Sequence, residues 1–178
     1  MRIILTGTPG TGKTSISKML GNGMGCKVCH VNEILKEKKL YSKITNGEYV
    51  ADFRKLKTHL NALLKEKNII LESHLLCDLK LEADLVIVLR CNPKELEKRL
   101  FKRKYSKTKL KENVLSEILD YCYINALKNY GSKVMQLEST KRIGIAKIKS
   151  EIGKFRAGKQ ASIRWLLGIS QKDLEKYF

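Results

Sequence analysis

Five short, mainly apolar runs recur along the chain, at residues 2–6, 26–31, 68–72, 84–90 and 133–138. Each is too short for a helix and too continuously hydrophobic for a strand with one wet face, so the pattern predicts strands buried on both sides. Between them the apolar spacing lengthens to the helical period. A helix is expected from Lys13 to about Leu20, closed by Gly21-Asn22-Gly23. Leu56, Leu60, Leu63 and Leu64 share one side of a helix within 52–67, and Asn92 with Pro93 reads as the cap and first turn of a helix reaching about Lys104. Val114, Leu115, Ile118, Leu119, Cys122 and Leu127 form the apolar side of what reads as a single long helix over 110–130. A last stripe, Ile145, Ile148, Ile152 and Phe155, precedes Gly158, and Ser170 reads as the N-cap of a short final helix. Strand and helix alternate. That predicts an α/β fold, a five-stranded parallel sheet with helices on both faces, with ligands beyond the carboxyl ends of its strands.

The 178 residues, 43% of them hydrophobic, can bury one sizeable core. No apolar run nears the roughly 20 residues of a membrane-spanning helix, and a soluble cytoplasmic protein is expected. Five cysteines, an odd number scattered through the chain, argue against a disulfide framework. Cys26 and Cys29 have the spacing of a metal or redox pair, but they fall on a predicted buried strand with no second pair at zinc-site distance. Charge changes the picture more. Thirty-six Lys and Arg against eighteen Asp and Glu leave +18, concentrated in residues 94–112 and 141–178. Such a balance fits a polyanionic partner such as nucleic acid, or a basic surface that is simply solvated.

The first strand runs into Gly7-Thr8-Pro9-Gly10-Thr11-Gly12-Lys13-Thr14, a complete G-x-x-x-x-G-K-[ST] phosphate-binding loop in the strand-loop-helix setting it requires. Gly7, Gly10 and Gly12 let the backbone curl its N–H groups inward, and the helix opening at Lys13 adds unpaired donors and a partial positive charge. Triphosphate fits there, with Lys13 on its β- and γ-oxygens, Thr14 on Mg²⁺ and Ser15 on the α-phosphate. Glu72 ends the third predicted strand, where such proteins hold the Mg²⁺ shell, and His74 two residues on is placed to orient a water or sense the γ-phosphate. Arg99 and Arg103 are four apart at the end of the Pro93 helix. Facing one side, they could close together on a phosphate chain.

These residues, with Val31-Asn32-Glu33-Ile34, Glu72-Ser73-His74, Val88-Leu89-Arg90, the 99–105 run Arg-Leu-Phe-Lys-Arg-Lys-Tyr and Lys109-Leu110-Lys111-Glu112-Asn113, resemble the adenylate-kinase-like ATPases of ribosome biogenesis. That family comprises archaeal adenylate-kinase-like proteins and eukaryotic coilin-interacting nuclear ATPases. The resemblance covers about residues 1–152, leaving 153–178 as a basic helical extension. It implies a P-loop NTPase of the nucleoside monophosphate kinase type, with a monophosphate-binding segment near 30–53 and a small lid near 102–112. It implies conversion of ATP and AMP to two ADP with Mg²⁺, ATP hydrolysis, and binding of a small-subunit ribosomal protein during rRNA maturation. By position it assigns Gly10, Gly12, Lys13, Thr14, Ser15, Arg103 and Lys141 to ATP, and Asn32, Lys36 and Asp52 to AMP. Catalysis would fall to Lys13, His74, Arg99 and Arg103, and the metal to Thr14 and Glu72. Glu72 stands where relatives often have Asp. Lys36 stands where an arginine is common, which predicts weaker AMP binding through a point charge in place of a bidentate fork.

Two readings follow. In one the chain is a phosphotransferase with AMP as acceptor; in the other it is an assembly ATPase, with water held by His74 and the basic segments on rRNA. No Asn-Lys-x-Asp guanine-reading motif occurs, which disfavours a GTPase. The basic tail could contact RNA, yet Trp165, Leu166 and Leu167 are expected to fold back on the core, because exposed they would form a sticky patch.

Overall fold

The computed structural model describes residues 1–45, 47–160 and 162–177. Phe178, the last residue of the basic extension, lies outside them. In chain order the elements are β1 (Arg2–Gly7), α1 (Lys13–Met24), β2 (Lys27–His30), α2 (Val31–Glu37), β3 (Tyr41–Thr45), β4 (Glu48–Ala51) and α3 (Phe53–Leu63). Next come β5 (Ile69–Glu72), a 3₁₀ turn (His74–Asp78), β6 (Leu85–Arg90), α4 (Pro93–Lys102), α5 (Lys107–Ile118) and α6 (Tyr121–Tyr130). The chain ends with β7 (Val134–Glu138), α7 (Ile145–Arg156) and α8 (Gln171–Glu175).

The five apolar runs pair, all parallel, in the order β2-β5-β1-β6-β7, while β3 and β4 form a separate antiparallel hairpin. Leu56, Leu60, Leu76, Cys122 and Ala126 pack on one face of the sheet; Ile16, Leu20, Ile148 and Ile152 pack on the other. The layers are those of an α/β fold with helices on both faces. Register decides what reaches the ligand edge. Leu5 of β1 pairs Glu72 of β5, which pairs His30 of β2, so a carboxylate and an imidazole stand together beside the loop that leaves β1.

Three expectations are corrected. Strand β2 is a partly exposed edge rather than a strand buried on both sides. Helix α1 runs through Gly21-Asn22-Gly23, because those glycines serve close packing: a Cβ would come within 2.6 Å of Val28 on Gly21 and within 2.6 Å of Ile145 on Gly23. The helix stops instead at Gly25, in the left-handed conformation. The single helix over 110–130 is two, α5 and α6, broken where Asp120 adopts φ 57°. The segment 30–53 holds α2 and the hairpin, elements the apolar pattern does not announce because the hairpin strands are almost wholly exposed and leave no buried alternation to read.

Beyond α7 the chain returns to the core. Gln160 donates to the Gln136 carbonyl on β7 at 2.6 Å, and the Trp165 indole reaches Glu117 at 3.0 Å. Tyr177 is buried among Cys91, Leu96, Leu100, Val114 and Ile118. Leu167, by contrast, stays 80% exposed, so only part of the Trp-Leu-Leu run is covered.

Candidate active site

The loop after β1 is shaped by backbone that only glycine adopts freely. Gly10 and Gly12 have φ 94° and 95°, and a Cβ on Gly10 would lie 2.8 Å from Leu96 and 2.9 Å from Leu100 of α4. Inside the curl the buried Lys13 ammonium donates to the carbonyls of Gly7 at 2.8 Å and Thr8 at 3.1 Å. Burial pulls its pKa below the usual lysine value, against the attraction of Glu72. Thr14 and Ser15, at the start of α1, are exposed toward the same space.

That space is a cavity of about 220 Å³ lined by Pro9, Gly10, Gly12, Lys13, Thr14, Ser15, Asn32, Glu72, His74, Arg103 and Tyr105. One of its lining groups is a carboxylate with two partners: Glu72 accepts from the Thr14 hydroxyl at 3.3 Å and lies 2.8 Å from His30 Nδ1. A hydroxyl and a buried carboxylate side by side are the hard oxygen donors that Mg²⁺ prefers. Among the described residues no group of three or more His, Cys, Asp or Glu is placed to hold a metal ion.

Two further cavities open from His74. One, of about 340 Å³, is lined by Asn32, Leu35, Lys36, Gly47, Glu48, Tyr49, His74 and Leu75. Lys36 Nζ lies 5.3 Å above the Tyr49 ring, which meets Tyr41 edge-on at 4.8 Å, giving an aromatic wall with a cation at its rim. The other, of about 730 Å³, runs between Pro9, the hairpin and α5, where Lys109 pairs with Glu48 and joins the lid region to the hairpin.

His74 is thus common to all three spaces. Burial first, and the Lys13 charge second, bring its imidazole down from 6.5 to about 4, so it is neutral at pH 7. The unfolded chain titrates at the ordinary value and binds the proton first as pH falls. Folding stability contributed by this group is therefore lost between about pH 6.5 and pH 4, by about 3 kcal/mol at the acid end. Urea denaturation from pH 7 to pH 4 measures it: His74→Asn flattens that part of the profile, and an unchanged profile would mean His74 protonates freely in the folded chain.

The expected site residues do not all converge. Gly10, Gly12, Lys13, Thr14, Ser15, Glu72, His74, Arg103 and Asn32 line the phosphate cavity, and Lys36 lines the neighbouring one. Arg99 does not join Arg103 there. Its guanidinium donates to the carbonyls of Ser139 at 3.1 Å and Thr140 at 2.7 Å and to Glu95, so it braces the loop after β7. Asp52 is the N-cap of α3, accepting from the Arg54 and Lys55 amides, which leaves its carboxylate committed to the helix end. Lys141 is exposed just past Thr140. In the segment 102–112, where a small lid is expected, Arg103 caps α4, Lys104 is left-handed and Ser106 caps α5.

Sequence reasoning missed the groups that hold the loop from behind. Ser139 donates to the Thr11 carbonyl at 2.7 Å, and Thr8 donates to Glu117 at 2.6 Å. Glu117 is 2% exposed and ion-paired to Arg90, 1% exposed, at 2.8 Å. Nothing in the sequence separates Glu117 from the other charged residues of an amphipathic helix.

Sheet, loop and helix together define a P-loop protein with the fold of small phosphotransferases. Solved structures agree on the fold: shikimate kinase from Acinetobacter baumannii in complex with shikimate superposes with a TM-score of 0.58 at 16% identity, covering 90% of this chain and 95% of that one. Deoxyadenosine kinase from M. mycoides superposes with a TM-score of 0.57 at 18% identity, covering 88% and 100%. The model of a family described as "AAA domain" matches residues 3–120, and the chain belongs to that family. Among its relatives, a Methanocaldococcus jannaschii protein named "Putative adenylate kinase" is 43% identical over 145 residues, 80% of this chain and 78% of the relative. A Methanosarcina mazei protein of the same name is 36% identical over 186 residues, 92% and 93% of the two chains.

Proposed function

We propose that the chain is an adenylate kinase, transferring the γ-phosphoryl group of ATP to AMP to give two ADP. The observation that carries this is the meeting of two cavities, one lined by the phosphate loop and one by an aromatic wall and Lys36, which share Asn32 and His74. A donor triphosphate and an acceptor monophosphate would lie side by side, as direct transfer requires. The names of the archaeal relatives support the choice of adenine nucleotides.

In this reading an AMP phosphate oxygen forms a bond to the γ-phosphorus as the bond to the β,γ-bridging oxygen breaks, and ADP leaves with that electron pair. Little covalent chemistry is left to the protein; it positions the groups and offsets charge. The inward N–H groups of the loop, Lys13 and Arg103 meet the oxygens on which negative charge moves. Thr14 and Glu72 would hold Mg²⁺, which supplies charge neutralisation between the β- and γ-phosphates when bound. Lys36 and Asn32 orient the acceptor, while Arg99 acts at one remove by fixing the 139–140 loop.

A second reading has its own support. The neutral His74 imidazole can accept a hydrogen bond from water beside the phosphate loop, which suits ATP hydrolysis. The net charge of +18 suits a partner that carries RNA. On this reading the chain is a cytoplasmic ATPase of small-subunit assembly, acting with a ribosomal protein and rRNA. ATP·Mg²⁺ turnover with and without AMP, with ADP and free phosphate separated by chromatography, tests both. The kinase reading expects AMP-dependent ADP far in excess of phosphate; phosphate release at one slow rate regardless of AMP would overturn it.

A further inference from the structure

The buried ion pair between β6 and α5 is also a junction. Glu117 Oε1 accepts from Arg90 Nε at 2.8 Å, from the Cys91 amide at 3.1 Å and from the Trp165 indole at 3.0 Å. Its other oxygen, Oε2, accepts from the Thr8 hydroxyl at 2.6 Å. One rigid carboxylate therefore touches the phosphate loop with one oxygen and the C-terminal segment with the other. Arg90 reinforces the link, since its Nη1 reaches the Ile163 carbonyl at 3.4 Å while its Nε holds Glu117.

A second, apolar route joins the same two places. The Gly10 backbone rests on Leu96 and Leu100 so closely that a Cβ would collide with both. Those two leucines belong to the cluster that buries Tyr177, near the end of the C-terminal segment. Tyr177 is anchored there by its hydroxyl on Glu97 at 2.9 Å, and Asp173 pairs with Lys94 of α4 at 3.1 Å. Helices α4 and α5 bracket the turn that brings Arg103 to the phosphate cavity.

We propose that the C-terminal segment is a strap that positions the phosphate loop through Glu117, so that docking of Trp165 and affinity for ATP are coupled. The proposal rests on the reading that the loop binds ATP. Trp165 is a positioning residue: it touches no substrate and acts by fixing the carboxylate that fixes Thr8. Coupling of this kind is reciprocal. A strap that tightens the loop on nucleotide is itself held more firmly when nucleotide is bound. Because Trp165 is the single tryptophan of the chain, its emission reports the strap directly.

The test is a double-mutant cycle on the full chain, with ATP·Mg²⁺ as the probe and calorimetry as the binding measurement. Trp165→Phe keeps an aromatic ring and removes the indole donor along with part of the ring area; Thr8→Val removes the hydroxyl at the other end. We expect Trp165→Phe to weaken ATP binding by at least about fivefold, the lower end of usual site-to-site coupling, and to raise KM for ATP more than it lowers kcat. The double variant should be no weaker than the more affected single one. In wild type, ATP should shift Trp165 emission with the same midpoint as calorimetric binding, and in Thr8→Val that shift should vanish while binding is still measured. Losses that multiply in the double variant would overturn the route through Glu117. A wild-type chain that binds ATP while Trp165→Phe binds it equally well and emission stays constant would overturn the strap alone. A wild-type chain that takes up no ATP would overturn the nucleotide reading and the coupling with it.

Discussion

Lys13→Met will lower kcat for ATP turnover roughly a thousandfold, the upper range for losing one preorganised electrostatic group from a shielded site. Methionine nearly matches the stem of lysine in volume, so the loop keeps its filling and loses the charge. What remains are the Gly7 and Thr8 carbonyls that the ammonium now satisfies at 2.8 Å and 3.1 Å, turned toward a place where phosphate oxygens would bring still more negative charge. The two arginines of this region do not stand in its place: Arg103 lines the cavity but is exposed, and Arg99 is committed to Ser139 and Thr140. The same substitution has a second readout independent of turnover. The Lys13 charge is one of the two causes that hold the His74 imidazole down, so its removal will raise the His74 pKa from about 4 toward 6.5, though burial still keeps it low. Steady-state kinetics and an NMR titration of the imidazole measure the two effects. Turnover within about tenfold of wild type would place the chemistry away from this loop.

The phosphate loop was legible because its eight residues are contiguous and its backbone geometry is written in glycines. The central strands were legible for a related reason: β1, β5 and β6 are buried on both faces, so each carries an unbroken run of three or more apolar side chains. Legibility fails where burial is supplied by residues distant in sequence. Gly21 and Gly23 look like a helix breaker until Val28 and Ile145 are seen against them. Asp120 sits in an apolar stripe that continues smoothly from α5 into α6, and only its bond to Arg90 shows why the chain turns there. A left-handed aspartate is a tolerated but unfavourable conformation, and the buried guanidinium is what holds it.

The site divides in the same way. Residues that would touch phosphate or metal, Lys13, Thr14, Ser15 and Glu72, follow from the loop motif and from the rule that ligands sit at strand ends. Arg99 and Arg103 illustrate the limit, because helical spacing puts both on one side of α4 without saying what each meets. The loop after β7 lies beside Arg99 and takes its donors, whereas Arg103, at the last turn, is left for the cavity. Glu117 carries no local signal at all, and Thr8 occupies a position of the loop motif that any residue may fill. Their roles arise only from sheet order, since β6 lies between β1 and β7 and delivers Arg90 to a point where the phosphate loop, α5 and the C-terminal segment come together.

That convergence makes Arg90→Met the substitution with the largest expected effect on folding, about 3–5 kcal/mol. Arg90 is 1% exposed and supplies donors to Glu117, Asp120, Gln136 and the Ile163 carbonyl. Methionine fills most of the volume and supplies none, leaving two carboxylates of like charge around an apolar side chain. Asp120 can turn toward solvent, but Glu117 is 2% exposed and cannot, so its desolvation is left without a counter-charge. A domain of this size has roughly 5–15 kcal/mol in hand, which places the variant near the edge of folding. Adding Glu117→Gln should recover part of the loss, because a neutral amide is far cheaper to bury than an unpaired carboxylate. Its amide oxygen can still accept from the Cys91 amide and the Trp165 indole, while its NH2 donates to the Thr8 hydroxyl, which accepts as well as donates. Urea midpoints of the single and double variants decide the matter. Recovery in the double variant identifies the uncompensated charge as the cause. A single-variant loss under about 1 kcal/mol would mean that water reaches Glu117 and that the pair is not the closed junction its geometry describes.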